Sequence, residues 1–148
     1  MIFDLKGFED LSIIELYRVL EIRAEVFVVE QDCVYQDLDG RDPSSHHVLG
    51  YVGDSIEAYT RIVPPGVSFD KYASIGRVLT TQRVRRDGFG RKLMRKSIAF
   101  CQEIYPHHEI KISAQSYLMA FYQELGFIET GEEYLEDGIP HRAMILHN

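Results

Sequence analysis

The sequence has few cysteines and no long apolar run. Cys33 and Cys101 are its only cysteines, and neither lies in a CxxC motif. The spacing therefore indicates no disulfide framework, zinc knuckle or redox pair. No apolar run approaches the ~20 residues of a membrane-spanning helix, and MIFDLKGFED carries charges where a signal peptide has an apolar stretch. We predict a cytoplasmic protein with no membrane partner.

Two common phosphate-binding signatures are also absent, and so is a calcium loop. The stretch VRRDGFGRKLMR contains GxG, but Leu93 stands where a Rossmann fingerprint has its third glycine, and no Walker GKS or GKT occurs. YQDLDGRD has the composition of a calcium loop. However, placing Asp37, Asp39 and Gly40 at loop positions 3, 5 and 6 leaves Tyr35 and His46 at ligand positions 1 and 12. The sequence therefore predicts no metal site.

Positive charge is concentrated in one short window of an acidic chain. The net charge is -7, yet residues 77–96 contain eight Lys and Arg and one acid, Asp87. That window carries +7 and the rest of the chain -14. A local inversion of this size is typical of an anion-binding surface. Because the acidic remainder would repel a long polyanion, we predict a small anion as the ligand and no nucleic-acid partner.

Helical and strand patterns alternate along the whole chain. Ser12 and Glu15 form a capping box ahead of a helix whose predicted apolar face is Ile13, Leu16, Tyr17, Leu20 and Ala24. The later elements are predicted as the strands HHVLGYV, SIEAYTRIV and ASIGRVLTT, a helix over 90–105, the strand EIKISA, the helix SYLMAFYQELG with Ser116 as N-cap, and the strands FIETGEEYL and HRAMILH. This order predicts one α/β domain over residues 1–148 with a mixed sheet.

The basic window contains a strand, a tight loop with two glycines and a helix start. Gly88 and Gly90 lack Cβ atoms and permit a sharp turn and a close ligand approach. The first turn of the helix adds unpaired N–H donors and a positive dipole end. Together these features predict an anion cradle. The alternative is a structural turn with solvated arginines.

Four segments resemble one enzyme superfamily. VLTTQRVRRDGFGRKLM resembles the acyl-CoA-binding motif of the GNAT superfamily of N-acetyltransferases, whose core R/Q-x-x-G-x-G/A corresponds to Arg85, Gly88 and Gly90. AQSYLMAFYQELGF resembles the second signature, with Tyr122 ahead of Gly126 and Phe127. RAEVFVVEQDCVYQDLDGRD and EDGIPHRAM resemble the ElaA-type branch. The resemblance implies a mostly antiparallel central sheet flanked by helices.

The resemblance also implies acetyl-CoA as co-substrate and assigns residues to it. The pantetheine arm would bind the backbone of Val78, Leu79 and Thr80. Gln115 stands where many relatives carry Asn for a CoA contact. The pyrophosphate would bind at Arg85, Arg86, Asp87, Gly88, Phe89, Gly90 and Arg91.

The implied chemistry needs an acid and a base. Tyr122 matches the family's frequent general acid, which assists departure of the CoA thiolate. The base has five candidates, of which Glu30 and His141 are our predictions, and the others are Asp39, His47 and Glu132. No cysteine or serine nucleophile with a neighbouring base is evident, which favours direct transfer over a covalent intermediate.

The predicted reaction is acetylation of a primary amine on a small molecule or peptide, with a homodimer left open. The acidic remainder of the surface favours a cationic amine. One alternative is another acyltransferase on the same fold, such as an acyl-homoserine-lactone-type synthase. The others are a CoA-binding sensor and a DNA-associated protein that uses the basic strip.

Overall fold

The computed structural model describes residues 1–148. Its strands are β1 (Ile2–Gly7), β2 (His46–Val52), β3 (Ser55–Val63), β4 (Ser74–Thr80), β5 (Ile110–Gln115), β6 (Ile128–Glu136) and β7 (Ile139–Leu146). Its helices are α1 (Ile13–Arg23), which continues as a π-helical segment (Ala24–Glu30), α2 (Phe89–Ile104) and α3 (Met119–Glu124). None of the helices combines the length and apolar character that crossing a membrane requires.

The strands form two antiparallel sheets that meet at a single point. The larger sheet has the order β1-β2-β3-β4, and the smaller has the order β5-β7-β6. A parallel bridge between Ala73 and Ile110 joins them: Ala73 N donates to Glu109 O at 3.1 Å and Lys111 N donates to Ala73 O at 2.9 Å. Beyond this bridge β4 and β5 separate and leave a cleft. The predicted α/β fold with a mixed, mostly antiparallel sheet is confirmed.

A bulge in β4 lies beside this cleft. Tyr59 pairs with Leu79 and Arg61 pairs with Gly76, so β4 contains one residue more than β3 over this interval. Arg77 takes a left-handed φ of 50° there. A bulge interrupts the ladder and bends its strand. The strand is therefore irregular where it borders the open cleft.

Helix α2 packs its apolar stripe against the larger sheet as the spacing predicts. Leu93, Met94, Ser97 and Cys101 are buried, and Ile98 is half-buried. The one hydroxyl in the stripe is satisfied, since Ser97 Oγ lies 2.7 Å from Thr60 Oγ1 and 2.8 Å from Leu93 O. Each fully buried aliphatic side chain contributes about 1.5–3 kcal/mol. Burial of this stripe fixes the position of α2 on the sheet, and therefore also the position of the loop that precedes Phe89.

The capping box of α1 is confirmed, but its predicted apolar face is wrong. Glu15 N donates to Ser12 Oγ at 3.0 Å, and Ser12 N donates to Glu15 Oε1 at 2.8 Å. However, Ile13 is 88% and Tyr17 74% exposed, whereas the buried residues are Val19, Ile22 and Val26. Both sets repeat at helical spacing, so periodicity could not choose between them. Arg23 decides the orientation, because its buried ion pairs turn this side of the helix inward.

Two further differences lie at β1 and α3. The sequence did not predict β1, which pairs antiparallel with β2. Ser116 is not a helix N-cap, because it opens a 3-10 turn ahead of α3 and its buried Oγ has no hydrogen-bond partner. Gly126 does end this helix, with a φ of 101° that favours glycine.

Candidate active site

Two adjoining cavities occupy the cleft between β4 and β5 and the start of α2. The larger has a volume of about 1110 Å³ and lies between the two sheets. The smaller, about 400 Å³, lies against the loop that leads into α2. Thr80 and Arg85 line both. A long ligand could therefore enter the smaller cavity at one end and reach the larger at the other.

Free backbone donors line the smaller cavity. The N–H groups of residues 86–91 have no acceptor within the protein, and the first bond of the turn is from Lys92 N to Gly88 O at 3.3 Å. Arg86 and Gly88 both adopt left-handed φ values, 74° and 77°. Converging amides at a helix start bind anions. The geometry has the character of the anion cradle that the sequence predicts.

The arginines of the basic window divide into those that have a carboxylate partner and those that do not. Arg85 Nη1 lies 2.7 Å from Glu30 Oε1, and Arg91 pairs with Glu124. Arg86, by contrast, lines the smaller cavity and has no carboxylate partner. The positive window therefore serves partly to make ion pairs within the fold and partly to leave cations free beside the cradle.

Glu57 anchors the loop that carries the cradle. Its carboxylate accepts hydrogen bonds from Thr81 Oγ1 and from Arg83 Nε, the latter at 3.0 Å. Ser55 and Arg18 donate to its other oxygen. Burial alone would raise the pKa of Glu57, but the hydrogen bonds from Thr81, Ser55 and Arg83 outweigh it and lower the pKa. Glu57 thus remains ionised and fixes the chain just before the cradle.

The structure brings most of the predicted cofactor residues to these two cavities. Val78, Leu79, Thr80 and Gln115 line the larger one. Arg86, Gly88, Phe89, Gly90 and Arg91 line the smaller, and Arg85 lines both. Asp87 lines neither.

Tyr122 lies on α3 and lines the larger cavity. Its ring packs edge-on against Phe121 and Phe127, with centroid distances of 5.1 and 6.0 Å. Its hydroxyl has no hydrogen-bond partner in the protein. Burial, with a smaller contribution from Tyr117, raises the pKa of Tyr122 to about 12. The hydroxyl is therefore protonated at every ordinary pH and available as a donor.

Three of the five base candidates line the larger cavity: Glu30, Asp39 and His141. His47 lies elsewhere, buried between Tyr59 OH at 2.6 Å and Asp42 O at 3.0 Å, and Glu132 is exposed on β6. Asp39 is bound by Arg61 at two oxygens, 2.8 Å each. Burial would raise the pKa of Asp39, but the Arg61 hydrogen bonds outweigh it and lower the pKa, so Asp39 is a weak base.

His141 lies on β7 at the wall of the larger cavity, with its side chain only 8% exposed. Its Nδ1 lies 2.7 Å from the backbone oxygen of Ile139, and its Nε2 lies 3.3 Å from Glu136 Oε2. Tyr134 stacks on the imidazole at 6.2 Å. Glu136 and Tyr134 are cavity residues that sequence reasoning missed, because strand register, not chain proximity, brings them to His141.

A buried ion network holds the 31–45 loop over the cavity, and this too was missed. Arg23 donates to Asp37 and Asp42 at 3.0 and 2.8 Å, and Arg61 donates to Asp42 at 2.9 Å and to Asp39. Arg77 joins through Asp37 at 2.8 Å. The signal was available in YQDLDGRD, whose closely spaced acids have the composition of a calcium loop but pair with guanidinium groups.

Comparison with known proteins places this site in a family. Residues 15–147 match the family described as Acetyltransferase (GNAT) domain. Protein ElaA of Escherichia coli (strain K12) is 41% identical over 137 residues, which are 91% of this chain and 89% of that protein. The crystal structure of Escherichia coli ElaA matches this chain with a TM-score of 0.92 and 37% identity, and the match covers 99% of each chain.

Two other solved structures extend the comparison. An acyl-CoA N-acyltransferase from Pseudomonas aeruginosa is 36% identical, with a TM-score of 0.92 and coverage of 99% of this chain and 100% of that one. BjaI, a CoA-dependent acyl-homoserine lactone synthase, has a TM-score of 0.80 over 97% of this chain and 82% of its own. At 16% identity it shows a shared fold alone. The chain belongs to the GNAT family of acyltransferases and, within it, to the ElaA-type branch.

Proposed function

We propose that the protein transfers an acetyl group from acetyl-CoA to a primary amine of a small molecule or peptide, by direct attack on the thioester. The observation that carries this proposal is the junction of the two cavities. An amide-lined anion cradle adjoins, at Thr80 and Arg85, a larger cavity that contains Tyr122, Glu30 and His141. A pyrophosphate in the cradle would direct the acyl end of its carrier toward those side chains.

The chain supplies binding groups along this path. The free amides of residues 86–91 would hold the pyrophosphate, with Arg86 beside it. The edge of β4 that faces the cleft has no neighbouring strand beyond Ala73, so those backbone groups of residues 78–80 that do not bond to β3 can pair with the amides of a pantetheine arm. Arg85 Nε donates to Thr80 O at 3.0 Å, so one of the two lone pairs of that oxygen is already used.

Two groups would act on the reacting atoms. A β4 amide near Leu79 or Thr80 would stabilise the negative charge that develops on the thioester oxygen. Tyr122 would donate a hydrogen bond to the departing thiolate. With a pKa of about 12 against ~8.5 for a thiol, complete proton transfer from Tyr122 costs roughly 5 kcal/mol. Hydrogen bonding therefore describes its role better than full proton donation.

The proposed base is His141, and Glu30 is proposed to act through Arg85. His141 lines the cavity with an Nε2 that faces a carboxylate and no cation. Glu30 is held in an ion pair with Arg85. Cys33, the only thiol in the cavity, donates to the Asp137 backbone oxygen at 3.5 Å and makes no hydrogen bond to a carboxylate or an imidazole, which favours direct transfer over an acyl-cysteine route. A homodimer and a cytoplasmic location stay predictions.

The test is release of free thiol from acetyl-CoA in the presence of polyamines, amino acids, aminoglycosides and peptide N-termini. We expect turnover with at least one amine and a matching mass gain of one acetyl group on it. Longer acyl-CoA donors belong in the same screen, because a preference for them would favour another acyltransferase. Tight acetyl-CoA binding without turnover of any amine would favour a sensor and contradict the proposal.

A further inference from the structure

We propose that Glu136 and His141 together form the site that binds the ammonium group of the acceptor and removes its proton. This rests on the proposed function and deepens it by adding a residue and a substrate class. Glu136 lies at the end of β6 and His141 near the start of β7, and both line the larger cavity.

The contacts of His141 fix which ring nitrogen can accept a proton. A backbone carbonyl oxygen can only accept a hydrogen bond. The 2.7 Å contact from Nδ1 to Ile139 O therefore requires the proton on Nδ1. In the neutral ring Nε2 then carries the free lone pair, and it is this nitrogen that faces Glu136.

Nε2 and the Glu136 carboxylate are two acceptors only 3.3 Å apart. Two acceptors this close repel each other unless a donor hydrogen lies between them or a bound donor contacts both. The ring can supply one by becoming imidazolium, or a bound ammonium can supply several by donating to both atoms. Glu136 is 51% exposed while His141 is 8% exposed. An ammonium that enters from solvent therefore meets the carboxylate first and the imidazole behind it.

All three strands of the smaller sheet hold this arrangement in place. Ser113 on β5 donates from Oγ to Glu136 Oε1 at 3.3 Å and contacts Tyr134 OH. Tyr134 on β6 is paired with His141 on β7 and stacks on its ring. The carboxylate and the imidazole are thus oriented before any ligand arrives, which is what a base requires.

Charge near this wall of the cavity favours a cation. Three arginines that line the cavity form ion pairs with acids other than Glu136. Arg61 and Arg77 pair with Asp39, and Arg85 pairs with Glu30. Arg41 donates to Ser68 across the loop. Glu136 and its neighbour Asp137 have no Lys or Arg partner. The groups that face His141 are therefore Glu136, Tyr134 and the Ile139 carbonyl, and the ligand class is a primary alkylammonium.

The proton step balances with these groups alone. One N–H bond of the ammonium breaks, its proton passes to Nε2, and its electron pair remains on nitrogen for attack on the thioester carbon. The imidazolium then donates from Nδ1 to Ile139 O and from Nε2 to Glu136. When the C–N bond has formed and the C–S bond breaks, the second proton leaves nitrogen for the thiolate. His141 returns its proton to solvent past the exposed Glu136.

The experiment compares Glu136→Gln, His141→Gln and the control Glu133→Gln, an exposed carboxylate on the same strand that does not line the cavity. We expect Glu136→Gln to raise KM for the amine at least tenfold with KM for acetyl-CoA unchanged. His141→Gln should lower kcat about 10²–10⁴-fold, and raising the pH should restore much of it, because the amine then loses its proton in solution. Glu133→Gln should change neither constant.

A binding measurement separates this inference from the proposed function. Ethylammonium is titrated by calorimetry into each variant saturated with CoA, where no transfer can occur, and Glu136→Gln should weaken its binding at least tenfold. If the wild type turns over an amine and both Glu136→Gln and His141→Gln have the kinetic constants of the wild type, this inference alone is overturned. No turnover of any amine by the wild type would overturn the proposed function. Unchanged thermal midpoints of the variants confirm that they are folded.

Discussion

The guanidinium of Arg85 and the carboxylate of Glu30 lie 2.7 Å apart where the two cavities meet. The same guanidinium donates from Nε to the backbone oxygen of Thr80 at 3.0 Å. Arg85 thus ties the π-helical segment after α1 to the end of β4. A residue predicted to bind phosphate and a residue predicted to act as a base are held together as an internal link, which changes what their substitution should do.

Glu30→Gln should affect cofactor binding more than chemistry. Loss of a partly exposed ion pair costs about 0.2–1 kcal/mol, so freeing Arg85 should raise KM for acetyl-CoA about two- to fivefold with little change in kcat. Steady-state kinetics with each substrate varied in turn provide the measurement. A fall in kcat of a hundredfold at constant KM would instead identify Glu30 as the base.

Gly90→Val should block the cradle without unfolding the protein. A Cβ at Gly90 meets no atom within 4 Å, and its φ is not left-handed. The added side chain would stand where we place the pyrophosphate, so the Kd for CoA should rise at least tenfold while the thermal midpoint stays within a few degrees. Arg95→Ala, on the exposed side of the same helix and away from both cavities, is the control. Undiminished CoA binding by Gly90→Val would rule out the cradle.

Tyr122→Phe should lower kcat about 10- to 100-fold with KM for acetyl-CoA nearly unchanged, because the lost hydroxyl acts on the thiolate rather than on bound cofactor. Burial raises the pKa of Tyr122 to about 12, so the hydroxyl stays protonated below that pH. The wild-type rate should therefore show no alkaline loss from Tyr122 up to about pH 11. A pH–rate profile identical in wild type and variant, with equal kcat, would remove Tyr122 from the mechanism.

Arg23→Gln should destabilise the fold strongly. The substitution leaves Asp37 and Asp42 buried with fewer counterions, and breaking a buried ion pair costs about 3–5 kcal/mol. Urea unfolding followed by circular dichroism measures the loss. Arg142→Gln, which removes a half-exposed pair with Glu129 at 3.5 Å, should change the unfolding free energy by less than about 1 kcal/mol. Equal effects of the two substitutions would contradict the assigned role of the network.

Acid should destabilise the protein partly through Glu15. Burial alone would raise its pKa, but hydrogen bonds from Lys6, Ser12 and Tyr51 lower it from 4.5 to about 2. A folded-state pKa below the unfolded value gives stability that is complete above about pH 4.5 and is lost as the pH falls toward 2. In Glu15→Gln the decline of the unfolding free energy across that window should be shallower. Glu133→Gln, an exposed acid without an ion pair, should leave the slope as in wild type.

Sequence reasoning selected cavity-lining residues where these are contiguous in the chain. The cradle from Arg85 to Arg91 is one loop and one helix start, so its residue order encodes its geometry. Glu136 and Tyr134 escaped prediction because antiparallel register across β5, β7 and β6 brings them to His141 and Ser113. No local pattern encodes that register.

The fold was predictable to a similar degree. β2 and β3 follow from their strand-forming runs HHVLGYV and SIEAYTRIV, and α2 follows from its apolar stripe. The orientation of α1 could not be predicted, because an arginine such as Arg23 is expected at the surface until its partners are known. A buried guanidinium can be recognised only from acids that lie 14 to 19 positions away in the chain.

The separation of β4 from β5 has a consequence for the order of events in catalysis. Apart from the bridge at Ala73, the two sheets share no backbone hydrogen bonds along the cleft. A pantetheine arm that pairs with β4 would fill the gap between the two sheets. It would thereby fix the position of Tyr122 relative to His141 across the larger cavity. Donor binding should then slow amide hydrogen exchange in both strands, and the amine should bind productively only afterwards. The protein would be a complete enzyme only while it holds its donor.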